Sequence, residues 1–244
     1  MRHSKKKKKH IETSDETEMF SPMTQTFEEL PKEIPIFPLT GVLLLPKGVL
    51  PLNIFEPRYI AMIDHALKHD RLIGMIQPKA PLDEEQKTKT DQLNLYTIGC
   101  VGRITNFSET PDGRYEIMLS GLNRFKIKDE NLSANGYRTA QVTWDGYSDD
   151  MSGENAFQLD RDGLNRLLKQ YFDTHQLSAC WQTIKETPNH MLITALSMIC
   201  PFSAQEKQAL LESPTCESRA KCLRTMLEMS VAENGCCEHS SSCC

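Results

Sequence analysis

The chain has 244 residues, of which 39% are hydrophobic and 25% are charged, and this composition is that of a soluble globular protein with one or two domains. Its formal net charge of -5 argues against a general nucleic-acid-binding domain, whose isoelectric point is usually above about 9. No apolar run approaches the roughly 20 residues of a membrane span and no apolar segment follows the basic start, so we expect a cytoplasmic protein without a secretory signal or membrane association.

Residues 1–32 are expected to form a disordered tail, because they are polar and show no apolar period. The tail holds five consecutive lysines at residues 5–9, followed by the acidic segment IETSDETEM. Like charges at this density repel one another, which is typical of a solvated chain. A contact of the lysines with RNA or anionic lipid is the alternative interpretation.

Short strands and a single helix are predicted from residue 33 onward. EIPIFPL should be an edge strand or its approach, because its prolines cannot donate hydrogen bonds to neighbouring strands. Pro46-Lys47-Gly48 predicts a turn. In EPRYIAMIDHALKHD the apolar period changes to three and four residues, which predicts an amphipathic helix with Pro57 in its first turn. RLIGMIQP is typical of a buried strand, and PLDEEQKTKTDQLN of an exposed, mobile loop.

The next strands carry bulge and turn signals. Gly99 and Gly102 in LYTIGCVGRITNF indicate a bulge or a sharp bend. Asp112-Gly113 predicts a hairpin between two strands. NRFKIKDE and YRTAQVTWD, which contains Trp144, predict two more strands. Short strands with regular turns and one helix indicate a small barrel or a strongly bent sheet.

The second half of the chain shows helical apolar spacing and is expected to pack on the first half. Ser203 and Glu206 form the S-x-x-E pattern of a capping box. Trp181 is also expected on a helix. The predicted helical segments are FQLDRDGLNRLLKQYFD, PNHMLITALSMICPF, SAQEKQALLESP and ESRAKCLRTMLEMSVAE. The predicted fold class is therefore α+β.

Cysteines and histidines are the candidate metal ligands. The four cysteines of the C-terminal segment CCEHSSSCC do not have the spacing of a repeated CxxC zinc site, so residues 233–244 are interpreted as a disordered tail with adventitious metal or redox chemistry. His65 and His69 have the i, i+4 spacing of a metal pair, but no third ligand is recognisable, which favours two solvent-facing histidines. We predict no metal and no cofactor. Five cysteines among apolar residues are expected to be small buried hydrophobes: Cys100, Cys180, Cys200, Cys216 and Cys222.

The clearest polar cluster interrupts an apolar run in LPLNIFEPRY, which ends at Tyr59. Phe55 should be a core anchor, and Phe55 and Tyr59 together should hold the helix against the strands. Glu56 should be favoured by the exposed N–H groups of the helix N-terminus. The motifs GxxxxGK[ST], GxSxG and HExxH are absent, so the sequence nominates no catalytic residue.

The blocks IPIFPLTGVLLLPKGVLPLNIFEPRY, IGMIQP, DGRYEIMLSGLNRFKI and PFSAQEKQALLE follow one another in an order and spacing that resemble the N-terminal substrate-binding domain of the Lon protease family. The resemblance covers about residues 33–230 and is greatest to small stand-alone bacterial members. It implies a PUA-like β-barrel over residues 33–148, with one helix, followed by a C-terminal α-helical bundle over residues 149–232. The ATPase and the Ser–Lys peptidase of full-length Lon proteases lie in other domains, for which this chain has no room after residue 230.

This resemblance implies a non-catalytic protein that binds unfolded or exposed hydrophobic polypeptides, as a protease adaptor or a protein quality-control factor. An ATP-dependent protease is a candidate partner, and the sequence leaves the oligomeric state open. Binding would use strand addition or a groove. The candidate contact residues are Asn53, Phe55, Glu56, Arg58 and Tyr59.

Two alternatives stay open at this point. PUA-like barrels elsewhere bind RNA, but the acidic balance of the folded part disfavours nucleic acid as a partner. An unrecognised enzyme is the third hypothesis, although no residue is singled out as a nucleophile or a general base.

Overall fold

The computed structural model describes residues 26–79, 94–152 and 157–237, with side chains described as far as residue 233. The described part of the first 30 residues holds a short 3-10 helix, Phe27–Glu29, in which the Thr26 N–H donates to the Glu29 carboxylate over 2.8 Å. The residues from Pro31 onward belong to a second unit. The lysine run, the predicted loop before Asn94 and the last seven residues of the cysteine-rich segment lie outside the described residues.

Six strands form one mixed sheet in the described part of the chain. Their bounds are β1 (Glu33–Pro38), β2 (Val49–Ile54), β3 (Leu72–Ile76), β4 (Ile98–Glu109), β5 (Tyr115–Leu132) and β6 (Arg138–Thr143). The order across the sheet is β2-β5-β4-β3-β1-β6, and β5 also pairs with β6. β1 and β3 run parallel, whereas the other pairs are antiparallel. With the helices described below, this sheet confirms the predicted α+β class.

The prediction that EIPIFPL is an edge strand is wrong, because β1 lies inside the sheet. It pairs with β6 over residues 33–36 and with β3 over residues 36–38. Pro35 therefore has a register partner on the β6 side only and Pro38 on the β3 side only, so the missing N–H groups are tolerated. Ile34 and Ile36 are 0% exposed, as expected for an interior strand.

The prediction of a separate strand at NRFKIKDE is also wrong, because this segment continues β5. The first part of β5 pairs with β2 and β4, and its last part pairs with β6. Gly121 lies where β5 passes the loop before β2, and a Cβ atom there would be 2.0 Å from the Leu45 carbonyl oxygen. Because glycine permits this approach, the strand continues past Leu45 instead of ending there.

The predicted turns and the predicted bulge are confirmed. Gly113 has a φ of 78° in the hairpin between β4 and β5. Lys47 has a φ of 64°, and the Gly48 N–H donates to the Leu45 carbonyl over 2.9 Å. The pairing of β4 with β5 shifts register between Val101 and Gly102.

The prediction that Trp144 lies in a strand is wrong, because Trp144 directly follows the end of β6. The strand ends at Thr143, and the Trp144 indole N–H donates to the Pro31 carbonyl over 3.1 Å. The indole also meets the Phe125 ring edge to face, with 6.2 Å between the ring centroids. These contacts hold the end of β6 against the start of the unit.

The helices occupy the expected segments, with one addition. Their bounds are α1 (Pro57–Lys68), α2 (Arg161–Thr174), α3 (Trp181–Glu186), α4 (Asn189–Ile199), α5 (Ala204–Glu212) and α6 (Cys216–Cys237). The four helical segments predicted for the second half contain α4 and α5 and most of α2 and α6, and Trp181 begins the short α3. Among the described residues, no helix is long and apolar enough to span a bilayer.

The capping box at the start of α5 is confirmed. The Glu206 N–H donates to the Ser203 hydroxyl over 3.3 Å, and the Ser203 N–H donates to the Glu206 carboxylate over 2.8 Å. Two N–H groups that the first helical turn would leave unpaired are thereby satisfied.

The cysteines follow the prediction in part. Cys100 and Cys200 are buried, and Cys216 and Cys222 are half-buried. Burial raises the pKa of the Cys200 thiol to about 11. Cys180 is exposed, so its predicted burial is wrong; it is the residue before α3, and this helix start lies at the surface.

The sheet and the helices share one hydrophobic core. Residues of the first half such as Leu45, Met62 and Leu119 belong to the same buried cluster as Leu168 and Leu223 of the helices. The helices therefore cover an apolar side of the sheet, and the two halves of the chain pack on each other.

Arg124 forms a buried ion pair and also ties the sheet to the turn between α5 and α6. Arg124 of β5 contacts Asp150 over 2.8 Å, and the two side chains are only 5% and 9% exposed. The same guanidinium donates to the carbonyl groups of Leu211, Ser213 and Pro214 over 3.2, 2.7 and 3.2 Å. Arg124 thus satisfies a carboxylate that is nearly removed from water, together with three backbone carbonyl groups.

Candidate functional site

The segment LPLNIFEPRY forms the predicted corner between β2 and α1. β2 ends at Ile54, Glu56 is the N-cap, and Pro57 is the first residue of α1. The Glu56 carboxylate makes no capping hydrogen bond. It accepts instead from the Arg58 guanidinium, at 2.9 Å from Nε and 2.7 Å from Nη2. These two candidate residues therefore contact each other at the helix start.

Tyr59 is buried at the corner. This burial agrees with the prediction that Tyr59 holds the helix against the strands. Its ring centroid lies 4.2 Å from that of Phe37 in β1, and the Arg58 guanidinium lies 4.6 Å from the Tyr59 centroid on the ring face. Burial raises the pKa of the Tyr59 phenol. Aromatic packing and the cation–π contact give Tyr59 a structural role in joining α1 to the sheet.

Phe55 is not a core anchor, and this prediction is wrong. Its side chain is 63% exposed, whereas the preceding residue, Ile54, is buried. Successive side chains of a strand point to opposite sides, so a buried Ile54 at the end of β2 leaves Phe55 directed outward. The corner consequently presents an exposed aromatic ring at the surface.

A groove of about 400 Å³ lies beside this corner, on β2, β5 and β4. Its lining residues are Pro51, Leu52, Asn53, Asn106, Phe107, Ser108, Glu116, Ile117 and Met118. Asn53 is the predicted contact residue among them. We refer to these nine residues as the strand groove.

Cross-strand register brings the three parts of the strand groove together. Pro51, Met118 and Asn106 lie opposite one another across the three strands, and Leu52, Ile117 and Phe107 form the next row. A register shift between Ile104 and Asn106 places Phe107 on the same face as Ile104. Without the bulge, Phe107 would point to the opposite face.

Phe107 is the main apolar side chain of the strand groove that remains open to solvent. It is 42% exposed and meets the Tyr115 ring edge to face, with 4.8 Å between centroids. The Tyr115 hydroxyl donates to the Asp64 carboxylate of α1 over 3.1 Å. Phe107 is thus held in place by a ring that is itself fixed to α1, which gives the groove a preformed apolar wall.

The polar lining of the strand groove carries a single ionisable group. Asn53, Glu116 and Ser108 form the third row across the strands, and Glu116 is the ionisable residue among the nine. Alternate rows point to the same face of the sheet, so this polar row shares its face with Pro51 and Met118 of the first row. Its amide, hydroxyl and carboxylate groups can accept and donate hydrogen bonds to a peptide chain and attract a basic side chain. This chemistry suits a polypeptide segment.

The histidine pair of α1 lies apart from the strand groove. The rings of His65 and His69 stack with 4.3 Å between centroids, and His69 Nδ1 is 2.7 Å from the His65 carbonyl oxygen. Burial, and then the neighbouring His69, lower the pKa of His65. Over the described ranges, no three histidine, cysteine or acidic residues are grouped so that they could hold a metal ion.

Comparison with known proteins gives a family match. The model of the ATP-dependent protease La (LON) substrate-binding domain matches residues 33–229. Lon protease 2 of Myxococcus xanthus is 30% identical over 229 residues, which cover 91% of this chain and 26% of that protein. The Lon protease of Brevibacillus choshinensis is 25% identical over 205 residues, covering 80% of this chain and 25% of that protein. The chain thus spans about a quarter of the length of the curated relatives that it matches.

Two solved structures share the fold. The Lon N-terminal domain protein from Xanthomonas campestris has a TM-score of 0.52 at 20% identity, with 78% of this chain and 96% of that one covered. The N-terminal domain of Mycobacterium avium complex Lon protease has a TM-score of 0.54 at 17% identity, with 81% and 98% covered.

Proposed function

Because the chain belongs to the ATP-dependent protease La (LON) substrate-binding domain family, we propose that it binds unfolded or exposed hydrophobic polypeptide segments in the strand groove. The binding is non-catalytic in this proposal. It serves to deliver clients to an ATP-dependent protease, or to hold them, in protein quality control in the bacterial cytoplasm. The proposed scaffold is a PUA-like barrel over residues 33–148, followed by a helical bundle over residues 149–232.

One observation carries the proposal: an exposed aromatic side chain, Phe107, is among the residues that line a groove together with amide, hydroxyl and carboxylate groups, and a second exposed aromatic residue, Phe55, follows the groove residues of β2 in the chain. Phe107 lies within the strand groove, and Phe55 follows two residues after Asn53. Their exposures of 42% and 63% are high for side chains that gain free energy from leaving water. Unfolded polypeptides expose the complementary apolar groups.

The proposed contact residues divide into two sets. Asn53 and Phe55 form the first set, because both are exposed and can contact a client directly. Glu56, Arg58 and Tyr59 form the supporting set, because Glu56 and Arg58 pair with each other and Tyr59 is buried. Phe107 joins the first set, although nothing in its sequence surroundings marks it as a site residue.

Replacing Phe107 with alanine should weaken binding of an unfolded polypeptide about fivefold or more, which corresponds to about 1 kcal/mol at a central apolar contact. The probe is a small protein that is kept unfolded by reduction and carboxymethylation of its cysteines, and its affinity is measured by fluorescence anisotropy. The lost contact with Tyr115 should cost about 1 kcal/mol of stability, which leaves the protein folded.

Leu177→Ala is the matched control, because Leu177 is 41% exposed in the helical half. We expect this variant to bind the unfolded probe as the unchanged protein does. The native, folded form of the probe should not bind. Equal affinity of the Phe107 and Leu177 variants would reject the strand groove as the binding site, and absence of binding by the unchanged protein would reject the proposed function.

A further inference from the structure

The outer edge of β2 has no strand partner in the described part of the chain. β2 stands at one end of the sheet order, and its other edge pairs with β5 from Val49–Ser120 to Ile54–Tyr115. An end strand of this kind presents a row of backbone N–H and C=O groups that can pair with another chain. Such pairing therefore depends on which backbone N–H and C=O groups of β2 point to its outer edge.

The register identifies which backbone groups of β2 point outward. The Gly121 N–H donates to the Gly48 carbonyl over 2.8 Å, so Gly48 and Gly121 form a hydrogen-bonded position of the ladder. Hydrogen-bonded and non-hydrogen-bonded pairs alternate along antiparallel strands. The residues two and four positions later, Leu50 and Leu52, therefore bond to β5, whereas Val49, Pro51 and Asn53 direct their backbone groups away from it.

The position of Pro51 agrees with this assignment. Proline has no N–H, and within sheets it is tolerated where the N–H would face away from the ladder. Pro51 lies opposite Met118 and directs its missing donor to the outer edge. The outer edge then offers the N–H groups of Val49 and Asn53, together with the carbonyl groups of Val49, Pro51 and Asn53.

We propose that an extended segment of the client polypeptide pairs with the outer edge of β2 as an additional strand. This inference rests on the proposed function, and it specifies how the client is held: by backbone hydrogen bonds to Val49 and Asn53. Backbone pairing does not depend on the client sequence, which suits a protein that binds many unfolded chains. Contacts between the side chains of the client segment and the protein then determine which segments bind best.

The chemistry around β2 indicates an apolar segment that carries a lysine or an arginine. Val49 is 57% exposed and Phe55 is 63% exposed along the edge, which favours apolar client residues beside them. Adjacent strands are about 4.8 Å apart, so a client residue opposite Asn53 lies about 10 Å from Glu116, two strands away. A long basic side chain spans this distance to the Glu116 carboxylate.

Val49→Pro tests the backbone contact, because it removes an outward N–H but no hydrogen bond of the β2–β5 ladder. Gly48 precedes it and has no Cβ to clash with the proline ring. Val49→Ala is the matched control, since it removes most of the side chain and keeps the N–H. With a labelled eight-residue peptide of apolar residues and one lysine, we expect Kd to rise at least about tenfold for Val49→Pro and less than about threefold for Val49→Ala.

A second measurement uses the unchanged protein, so that it does not depend on the folding of a variant. The same peptide is N-methylated on alternate residues, in the two possible phases. In one phase the methyl groups face β2 and should abolish binding, and in the other they face away and should leave it nearly unchanged.

Equal binding of both N-methylated peptides, or normal binding by a folded Val49→Pro variant, would overturn strand addition while leaving binding in the strand groove intact. Failure of the unchanged protein to bind any unfolded chain would overturn the proposed function itself. A third result also overturns the inference: if Val49→Pro abolishes self-association in sedimentation but leaves peptide binding unaltered, the occupant of the edge is a second copy of this chain.

Discussion

Replacing Arg124 with methionine should lower the free energy of unfolding by about 3–5 kcal/mol, as expected when one partner of a buried ion pair is removed. The substitution leaves the Asp150 carboxylate, 9% exposed, without its cation. It also leaves the carbonyl groups of Leu211, Ser213 and Pro214 without this donor. Methionine fills a similar volume, so the loss reports the charge and the hydrogen bonds. Urea unfolding followed by circular dichroism measures it.

Arg224→Met is the control for the Arg124 variant. Arg224 pairs with Glu228 on the surface of α6, where the two side chains are 47% and 52% exposed. Such pairs contribute about 0.2–1 kcal/mol. A combined Arg124→Met and Asp150→Leu variant should regain part of the lost stability, because it removes both members of the buried ion pair. A cost of less than about 1 kcal/mol for Arg124→Met would show that the contacts of Arg124 do not tie the sheet to the turn between α5 and α6.

Gly121→Ala should lower the free energy of unfolding by about 3 kcal/mol, at the upper end of the cost of overpacking a core. The added Cβ would lie 2.0 Å from the Leu45 carbonyl oxygen and 3.3 Å from Leu44 Cδ1. A backbone carbonyl cannot move away as a flexible side chain can. Either β5 or the loop before β2 must shift, and this loop leads directly into the edge strand of the proposed site.

Ser120→Ala, at the neighbouring position of β5, is the control for Gly121→Ala. We expect Ser120→Ala to change stability by less than about 0.5 kcal/mol. The free energies of unfolding of the two variants are compared by thermal and denaturant unfolding. If Gly121→Ala is as stable as Ser120→Ala, then the close approach of β5 to Leu45 does not determine how β5 continues past it.

The elements that the sequence predicts best are those with a local cause. α1 follows from its apolar period and from Pro57, the hairpin from Asp112-Gly113, and the start of α5 from Ser203 and its glutamate. Each of these signals is contained in a few neighbouring residues. Their outcome therefore depends little on the rest of the chain.

The elements that were predicted wrongly depend on distant partners. Whether β1 is an edge or an interior strand is decided by β3 and β6, which follow tens of residues later. The continuity of β5 is decided by the contact of Gly121 with Leu45. Local proline and glycine signals are ambiguous in these places, because the same residues are found at edges, bulges and close approaches.

The site shows the same division. LPLNIFEPRY marks the corner in the sequence, but it contributes only Pro51, Leu52 and Asn53 to the strand groove. The remaining lining residues come from β4 and β5, and a register shift in β4 orients Phe107. A bulge of this kind leaves no clear residue signature, so the sequence does not single out Phe107. The expectation that Phe55 is a core anchor fails because strand alternation beside buried Ile54 directs its side chain outward.

The central claim is that unfolded polypeptides bind at the strand groove and along β2. Hydrogen–deuterium exchange of the unchanged protein, resolved to single amides, tests it most directly when the carboxymethylated unfolded probe is added. In the free protein the outward amides of Val49 and Asn53 should exchange fast, since they have no ladder partner. We expect the probe to slow exchange at these two amides and to change it little in α2 and α6. Protection confined to the helices, with Val49 and Asn53 unaffected, would contradict it.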